Sequence, residues 1–362
     1  MTNLPLVTES STSPTDATLP ASWYTDPAVL ALEHERIFGR SWQYAGLQAQ
    51  IPRPGDYHTH RVGGSSVIVV RARDGRINAF ANVCRHRGCE LVEGDGHAGA
   101  LQCPYHAWTY TLDGALSGVP RARRNPEFSR AGLDLVALSV DTLGPLVFVN
   151  PDPDPAPLAS VFGGWLERLD GDRIELDPTL RPYAVSEHVI EANWKLICEN
   201  GFECYHCPVN HPELAASRDV RPDFWFEFHE DFTFHGLPSS EAATRGRAPS
   251  QSALLGFLWP NVFPIVRDGG FGSVLQALPT DSEHAIFRRE YWFGDDVAAD
   301  AREEMIAFLG ATDLEDIELL PRVQRGQRSR FYDEGRLLLP ATEPGVAFFQ
   351  NRVRRALDGA PN

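Results

Sequence analysis

Cys84-Arg85-His86-Arg87-Gly88 and Cys103-Pro104-Tyr105-His106-Ala107-Trp108 decide how the first half of this chain is read. His86 and Cys103 are separated by 16 residues, and each run supplies one thiolate and one imidazole. A C-x-H-x16-C-x2-H arrangement can hold a two-iron, two-sulfur cluster in which two histidines replace two cysteines on one iron. A structural zinc site uses the same donors, but it usually pairs Cys with Cys and His with His. One of each per run favours the cluster.

Working outward, the text from Trp42 to Asn150 consists of short alternating or β-branched runs, such as Ser66 to Arg71 and Leu146 to Asn150, broken by Gly, Asp and Pro. This predicts an all-β domain over 41–150 with the two runs in its loops. Upstream, Val29, Leu30, Leu32, Ile37 and Phe38 form an apolar stripe after the turn at Asp26-Pro27, predicting one helix over 22–39. The residues before it are rich in Ser, Thr and Pro and lack a basic start and an apolar core. They read as a mobile tail rather than a signal peptide, so 1–40 is taken as tail plus a helix packing on the second half. Pro151-Asp152-Pro153-Asp154-Pro155-Ala156-Pro157 cannot continue a sheet and marks a linker over 151–157. Beyond it, helical patterns (Val161 to Leu169, Ala192 to His206, Ala298 to Leu309, Leu314 to Arg325) mix with strands (Phe271 to Leu278, His284 to Phe293). The fold class is α+β: an all-β domain followed, over 158–362, by an antiparallel sheet flanked by helices.

At 362 residues and 43% hydrophobic content the chain can bury two cores. Its net charge of -16 argues against a general nucleic-acid or anionic-membrane binder. No apolar run approaches the roughly 20 residues of a membrane span, which points to a cytoplasmic protein. Six cysteines, clustered in sequence, do not make a disulfide framework, and their spacing points to metal chemistry.

The second informative stretch is Asn193-Trp194-Lys195-Leu196-Ile197-Cys198-Glu199-Asn200-Gly201-Phe202-Glu203-Cys204-Tyr205-His206-Cys207-Pro208-Val209-Asn210-His211-Pro212. His206 and His211 can ligate one metal if the backbone bends between them, and Pro208 supplies the bend. Two histidines completed by one carboxylate form the facial triad of non-haem Fe(II) oxygenases, with positions left open for oxygen. The third ligand is sought in Asp313-Leu314-Glu315-Asp316-Ile317-Glu318, which offers four carboxylates. Asp316 heads a stripe with Leu320 and Val323 and is expected to point inward, whereas Glu315 and Glu318 fall near Arg322 on a solvated face. Asp313 is the next candidate.

Both stretches resemble Rieske non-haem iron oxygenase α subunits, the aromatic-ring-hydroxylating dioxygenase family. The cluster loops match, and so do Asn193, Trp194, Lys195, Glu199, Asn200, Tyr205, His206 and His211. The resemblance implies a Rieske [2Fe-2S] cluster on Cys84, His86, Cys103 and His106, and a mononuclear Fe(II) on His206, His211 and Asp316. Electron-carrier Rieske proteins of respiratory complexes add a disulfide between the loops. Tyr105 stands where its second cysteine would be, so Cys89 is expected to be a buried small hydrophobe. Glu203 replaces the usual Asp that bridges the Rieske histidine of a neighbouring subunit, here His106, to an iron-ligating histidine.

Glu-Cys-Tyr-His-Cys at Glu203 to Cys207 and Gln324-Arg325-Gly326 are similar to the branch acting on quaternary ammonium compounds such as glycine betaine, carnitine and proline betaine. That implies monooxygenation or oxidative N-demethylation. Ring hydroxylation of an aromatic acid and pure electron carriage are the alternatives. A quaternary cation is recognised by aromatic faces, for which Trp225, Phe226, Phe228, Trp259, Phe263, Phe271 and Trp292 are candidates. Further implications are a homotrimer and a separate flavin/iron–sulfur reductase, with or without a ferredoxin, that draws electrons from NAD(P)H. The basic run Arg121-Ala122-Arg123-Arg124 could dock it.

Overall fold

The computed structural model describes residues 16–171, 174, 176, 180–217, 225–236, 253–267 and 270–358, so most of the expected tail lies outside the described residues. The first half is antiparallel β: β1 (Gln43–Leu47), β2 (Asp56–Val62), β3 (Ser65–Arg71), β4 (Ile77–Ala81), β5 (Gly96–His97), β6 (Leu101–Gln102), β7 (Thr109–Tyr110), β8 (Leu116–Gly118), β9 (Ala137–Leu143) and β10 (Leu146–Asn150). Seven of them form a sheet in the order β1-β10-β9-β4-β3-β2-β5, and β6-β7-β8 form a smaller one.

The two-residue period of β3 splits its side chains between two cores. Val67 and Val69 pack with Val147 and Val149, while Ile68 and Val70 pack with Phe80, Cys84, Cys103, Trp108 and Tyr110. Both cluster-loop cysteines are thereby drawn into the apolar layer beneath their loops.

The second half is a seven-stranded antiparallel sheet in the order β11-β17-β16-β15-β14-β13-β12. Its strands are β11 (Arg181–Ile190), β12 (Trp225–Phe228), β13 (Phe232–Gly236), β14 (Ala253–Leu258), β15 (Val262–Arg267), β16 (Phe271–Pro279) and β17 (Ala285–Phe293). The helices are α1 (Pro27–Glu33), α2 (Leu158–Gly171), α3 (Trp194–Gly201), α4 (Cys207–Asn210), α5 (Pro212–Ser217), α6 (Ala299–Gln327) and α7 (Pro344–Asp358). Among the described residues, none is long and apolar enough to cross a membrane.

Several sequence expectations are corrected. The helix expected over 22–39 is divided: α1 starts at the Asp26 cap, whose side chain accepts from the Ala28 amide at 2.8 Å, and continues as a π-helical turn over His34–Phe38. The helix expected from Ala192 to His206 ends at Gly201, leaving Glu203 to His206 in a turn. The two helices expected on either side of residue 310 are one 29-residue helix, α6, which carries Pro321 inside it. Its inward stripe is Asp313, Asp316, Leu320 and Gln324; Val323 is 38% exposed.

The two halves share one core, in which Trp42, Tyr44 and Phe148 meet Phe162 and Trp165 of α2 and Phe234 and Trp292 of the second sheet. A buried polar seam runs beside it. The Tyr44 hydroxyl and the Trp292 indole both donate to Glu290 Oε1 at 2.8 Å, Arg288 holds Oε2 at 2.6 Å, and His60 Nε2 lies 3.1 Å from Gln276 Oε1. In low dielectric each of these groups needs its partner, so the seam specifies one docking geometry.

A second seam ties α1 to α3. Lys195 Nζ donates to Glu33 Oε1 at 2.5 Å, with neither side chain exposed, and the Trp194 indole donates to Glu33 Oε2 at 2.7 Å. Asn193 caps α3 by accepting from the Lys195 amide at 3.0 Å. One helical turn on, Glu199 accepts from Tyr24 at 2.6 Å and from Gln350 of α7 at 3.0 Å. Burial nevertheless pushes its pKa from the ordinary 4.5 up to about 7.

Two outcomes follow. Removing one partner of a buried pair leaves a charge unpaired, so Glu33→Ala is expected to cost roughly 3–5 kcal/mol in denaturant unfolding. A double change of Glu33 and Lys195 to Met should cost far less, and equal losses would contradict the pairing. A carboxyl whose folded pKa is raised stabilises the fold below its unfolded value and loses that contribution as pH rises through the folded one. The melting temperature of Glu199→Gln relative to the native protein should therefore climb between pH 4.5 and about 7, and a flat difference counts against it.

Candidate active site

The two cluster loops share one backbone design. The Cys84 amide donates to Cys89 O at 2.8 Å and the Gly88 amide to Cys84 O at 3.0 Å; likewise Cys103 N donates to Trp108 O at 2.8 Å and Ala107 N to Cys103 O at 2.9 Å. In both loops the fourth residue after the cysteine is left-handed, with φ of 74° at Gly88 and 56° at Ala107. Cys84 and Cys103 are each 2% exposed, while the His86 and His106 rings meet edge to face at 4.7 Å near the surface. His86 stacks on Trp108 at 4.8 Å.

Buried His106 Nδ1 has no hydrogen-bond partner. An orphaned imidazole nitrogen beside two buried thiols fits a metal ligand, so the four residues suit a [2Fe-2S] cluster with sulfur ligands inside and imidazoles outside. The Tyr110 hydroxyl lies 3.4 Å from Cys84 Sγ. Cys89 is not the fully buried residue expected: it is half-buried, and its thiol donates to Glu90 O at 3.2 Å.

In the second half, the turn after α3, the short α4 and helix α6 bring the other predicted residues together. His206 Nε2 and His211 Nε2 lie 3.0 Å apart, and Asp316 Oδ1 lies 3.4 Å from the first and 3.2 Å from the second. The other nitrogen of each ring faces a carboxylate. His206 Nδ1 is held by Glu203 Oε1, and His211 Nδ1 by Glu315 Oε2 at 2.7 Å. With those protons on Nδ1, both Nε2 atoms present lone pairs.

Three electron-pair donors at this separation repel one another unless a cation lies among them. The electrostatics of the site make the same demand for positive charge. Burial opposes protonation of His206, yet the carboxylates of Asp316 and Glu203 outweigh it and raise its pKa to about 9. Burial likewise opposes ionisation of Asp316, yet both histidines hold its pKa below the usual value. The set fits a divalent metal with two imidazoles and one carboxylate.

Asp313, the alternative candidate, has a different partner: Arg289 grips it with two bonds of 2.6 and 2.7 Å. Asn200, on α3, donates to Asp316 Oδ1 at 3.2 Å. Glu315 corrects the solvated-face expectation, since it orients His211. Helical periodicity placed it outside because α6 presents Asp316 to the two Nε2 atoms and its neighbour to the flank of His211. Glu203 Oε2 also accepts from the amides of Tyr205 and His206, so one side chain caps the turn and orients the ring. The expectation that the clustered cysteines serve metals fails for Cys204 and Cys207, which form a disulfide. Their Cys-x-x-Cys spacing was the available signal.

A pocket of about 840 Å³ opens onto these ligands. Of the aromatic candidates, Phe263 and Phe271 line it, joined by Phe287 and Phe308, which were not singled out. Trp225, Phe226, Phe228, Trp259 and Trp292 do not line it. Trp292 is locked on Glu290, and Trp259 packs on Phe349 under Arg352. Neutral His235, its pKa pushed down to about 3 by burial, is also in the wall.

Removing a carboxylate behind a ligating histidine typically weakens metal affinity by about 10- to 100-fold. Glu315→Ala should show this loss in chelator competition for the mononuclear iron while the cluster's visible spectrum stays unchanged. Undiminished iron retention would contradict the role given to Glu315.

The Rieske [2Fe-2S] domain family matches residues 41–134, and the ring hydroxylating alpha subunit (catalytic domain) family matches residues 172–359. The carnitine monooxygenase oxygenase subunit of Acinetobacter baumannii is 32% identical over 350 residues, covering 93% of this chain and 94% of that one. The chloroplastic choline monooxygenase of Spinacia oleracea is 32% identical over 352 residues, covering 95% of this chain and 79% of that one. Among solved structures, the quaternary ammonium Rieske monooxygenase CntA with L-carnitine superposes with a TM-score of 0.83 at 31% identity, covering 94% and 95% of the two chains. Naphthalene 1,2-dioxygenase from Rhodococcus shares the fold, with a TM-score of 0.78 at 22% identity. On these matches, and on the two sets of metal donors that its own residues assemble, the chain belongs to the Rieske non-haem iron oxygenases, enzymes that work with a Rieske [2Fe-2S] cluster and a mononuclear iron.

Proposed function

We propose that this chain is the terminal oxygenase of a system that hydroxylates an N-methyl quaternary ammonium compound, by monooxygenation or oxidative N-demethylation. The charge of the pocket carries the reading. Glu203, Glu213 and Glu304 line it, and Arg289 is neutralised by Asp313. Carboxylates and phenylalanine faces together suit a cation that has no N–H to donate. The same lining disfavours an aromatic acid. Arg267 at the end of β15 also lines the pocket.

In this reading Cys84, His86, Cys103 and His106 hold the cluster, and His206, His211 and Asp316 hold the iron. Bound there, the iron supplies oxygen activation at its open positions. The protein's part is positional: Glu203 and Glu315 fix both rings through Nδ1, Asn200 steadies Asp316, and the phenylalanines keep water from the substrate's methyl groups.

Glu203 is the bridge through which electrons pass from His106 of a neighbouring subunit to His206. A CntA structure is described in terms of inter-subunit electron transfer, and the exposed apolar residues here support a subunit interface that joins the two centres, in an assembly we take to be a homotrimer. Val83 and Tyr105 are 44% and 56% exposed beside the cluster ligands, and Tyr205 and Val209 are 60% and 89% exposed beside the iron ligands.

A reductase drawing on NAD(P)H supplies the electrons, and we place the enzyme in the cytoplasm, where that donor is found. Its docking surface is the exposed arginine run of Arg121, Arg123 and Arg124. The Arg121–Arg124 segment lies near the cluster because Phe128 packs edge-on against Trp108 at 5.8 Å. On a chain of net charge -16 this local positive field selects an acidic partner.

The test is substrate-dependent NADH use and formaldehyde release, with a generic reductase, across glycine betaine, carnitine, choline and an aromatic acid. Turnover of a quaternary amine is expected, and turnover of the aromatic acid alone would overturn the reading. Glu203→Gln should keep both metal centres filled yet lose nearly all coupled turnover.

A further inference from the structure

Cys204 and Cys207 bracket His206 and are joined across it, with Cα atoms 4.9 Å apart. They are 6% and 4% exposed and pack on Leu214 and Ala215, yet both contribute to the pocket wall. The Cys207 sulfur lies within 4.8 Å of a ring nitrogen of His206 and of one of His211.

The disulfide is not the turn's one restraint. The Cys207 amide donates to Cys204 O at 3.1 Å, and Glu203 caps the amides of Tyr205 and His206. Opening the bond therefore frees a sulfur at the metal while His206 keeps its place. A disulfide sulfur is a poor ligand, whereas a thiolate binds divalent transition metals strongly.

We propose that the Cys204–Cys207 pair gates the coordination of the mononuclear metal: joined, it withholds sulfur and leaves three protein ligands; opened, it presents Cys207 as a fourth. The proposal rests on the reading of His206, His211 and Asp316 as the metal's ligands. A fourth ligand takes up one of the positions that oxygen chemistry needs open.

The pair is closed by a peroxide, the class of oxidant released when oxygen is reduced without hydroxylation. One sulfur attacks a peroxide oxygen, the O–O bond breaks, and a sulfenic acid and one water result. The second sulfur then attacks the first, forming the S–S bond and releasing another water. Two thiols lose two electrons and hydrogen peroxide gains them. A phosphine opens the pair, taking one water oxygen to become its oxide while two thiols form.

The test replaces the mononuclear iron with cobalt(II) in the otherwise intact holoprotein and reads X-ray absorption at the cobalt edge, where the cluster's irons are silent. The expected result is one cobalt–sulfur path after phosphine reduction and none in the disulfide form. Cys204→Ser should show that path in either condition, and Cys207→Ser in neither. Nitrogen and oxygen scattering alone from both reduced native protein and Cys204→Ser would overturn the gate while leaving the ligand reading intact. Failure of every form, the disulfide form included, to take up cobalt would overturn the ligand reading and the gate with it.

Discussion

Two imidazole nitrogens and a carboxylate oxygen held within 3.0 to 3.4 Å of one another is an arrangement that no folded chain adopts cheaply. Each atom offers electron density, and burial removes the water that would screen it. The rest of the catalytic half can be understood as the means of enforcing this convergence. Glu203 and Glu315 take the outer proton of each ring, so that the inner lone pairs have one direction to face. A positive charge is then what the centre lacks, and the raised pKa of His206 expresses that deficit.

The enforcement reaches well beyond the ligands. Helix α3 is held by the buried Glu33–Lys195 pair and by the Asn193 cap. Helix α6 is held at one end of its inward stripe by Asp313 on Arg289 and at the other by Gln324, which accepts from the Asn193 amide at 2.9 Å and donates to Tyr24 O at 3.0 Å. The same Asn193 thus caps one metal-site helix and anchors the other. Fixing both ends at buried polar groups leaves little freedom for Asp316 to drift from the histidines.

The cluster domain solves a different problem with similar economy. Its two loops repeat one hydrogen-bond scheme, including a left-handed residue at the same place. That turn buries the cysteine while lifting the histidine toward the surface. A shared core and the seam through Tyr44, Glu290, Arg288 and His60 then fix this domain on the catalytic sheet.

Read alone, the sequence determined the class of the fold and singled out four candidate cluster residues and two candidate iron histidines, because metal donors carry their chemistry in residue type and short spacing. It also favoured Asp316, since a helical stripe reports which side chain faces inward. Tertiary structure decided what depends on distant segments meeting. Arg289 gave Asp313 a different partner, and His211, about a hundred positions from Glu315, made a ligand's support of an apparently solvated residue. Most of the aromatic candidates proved to be locked into packing, because hydrophobicity says that a ring is buried but not against what. The helix expected to break near Gly310 continued, its inward face anchored from outside itself. Cys204 and Cys207 were visible only as members of a cysteine cluster, and the fold joined them across His206 and set the Cys207 sulfur beside His206 and His211.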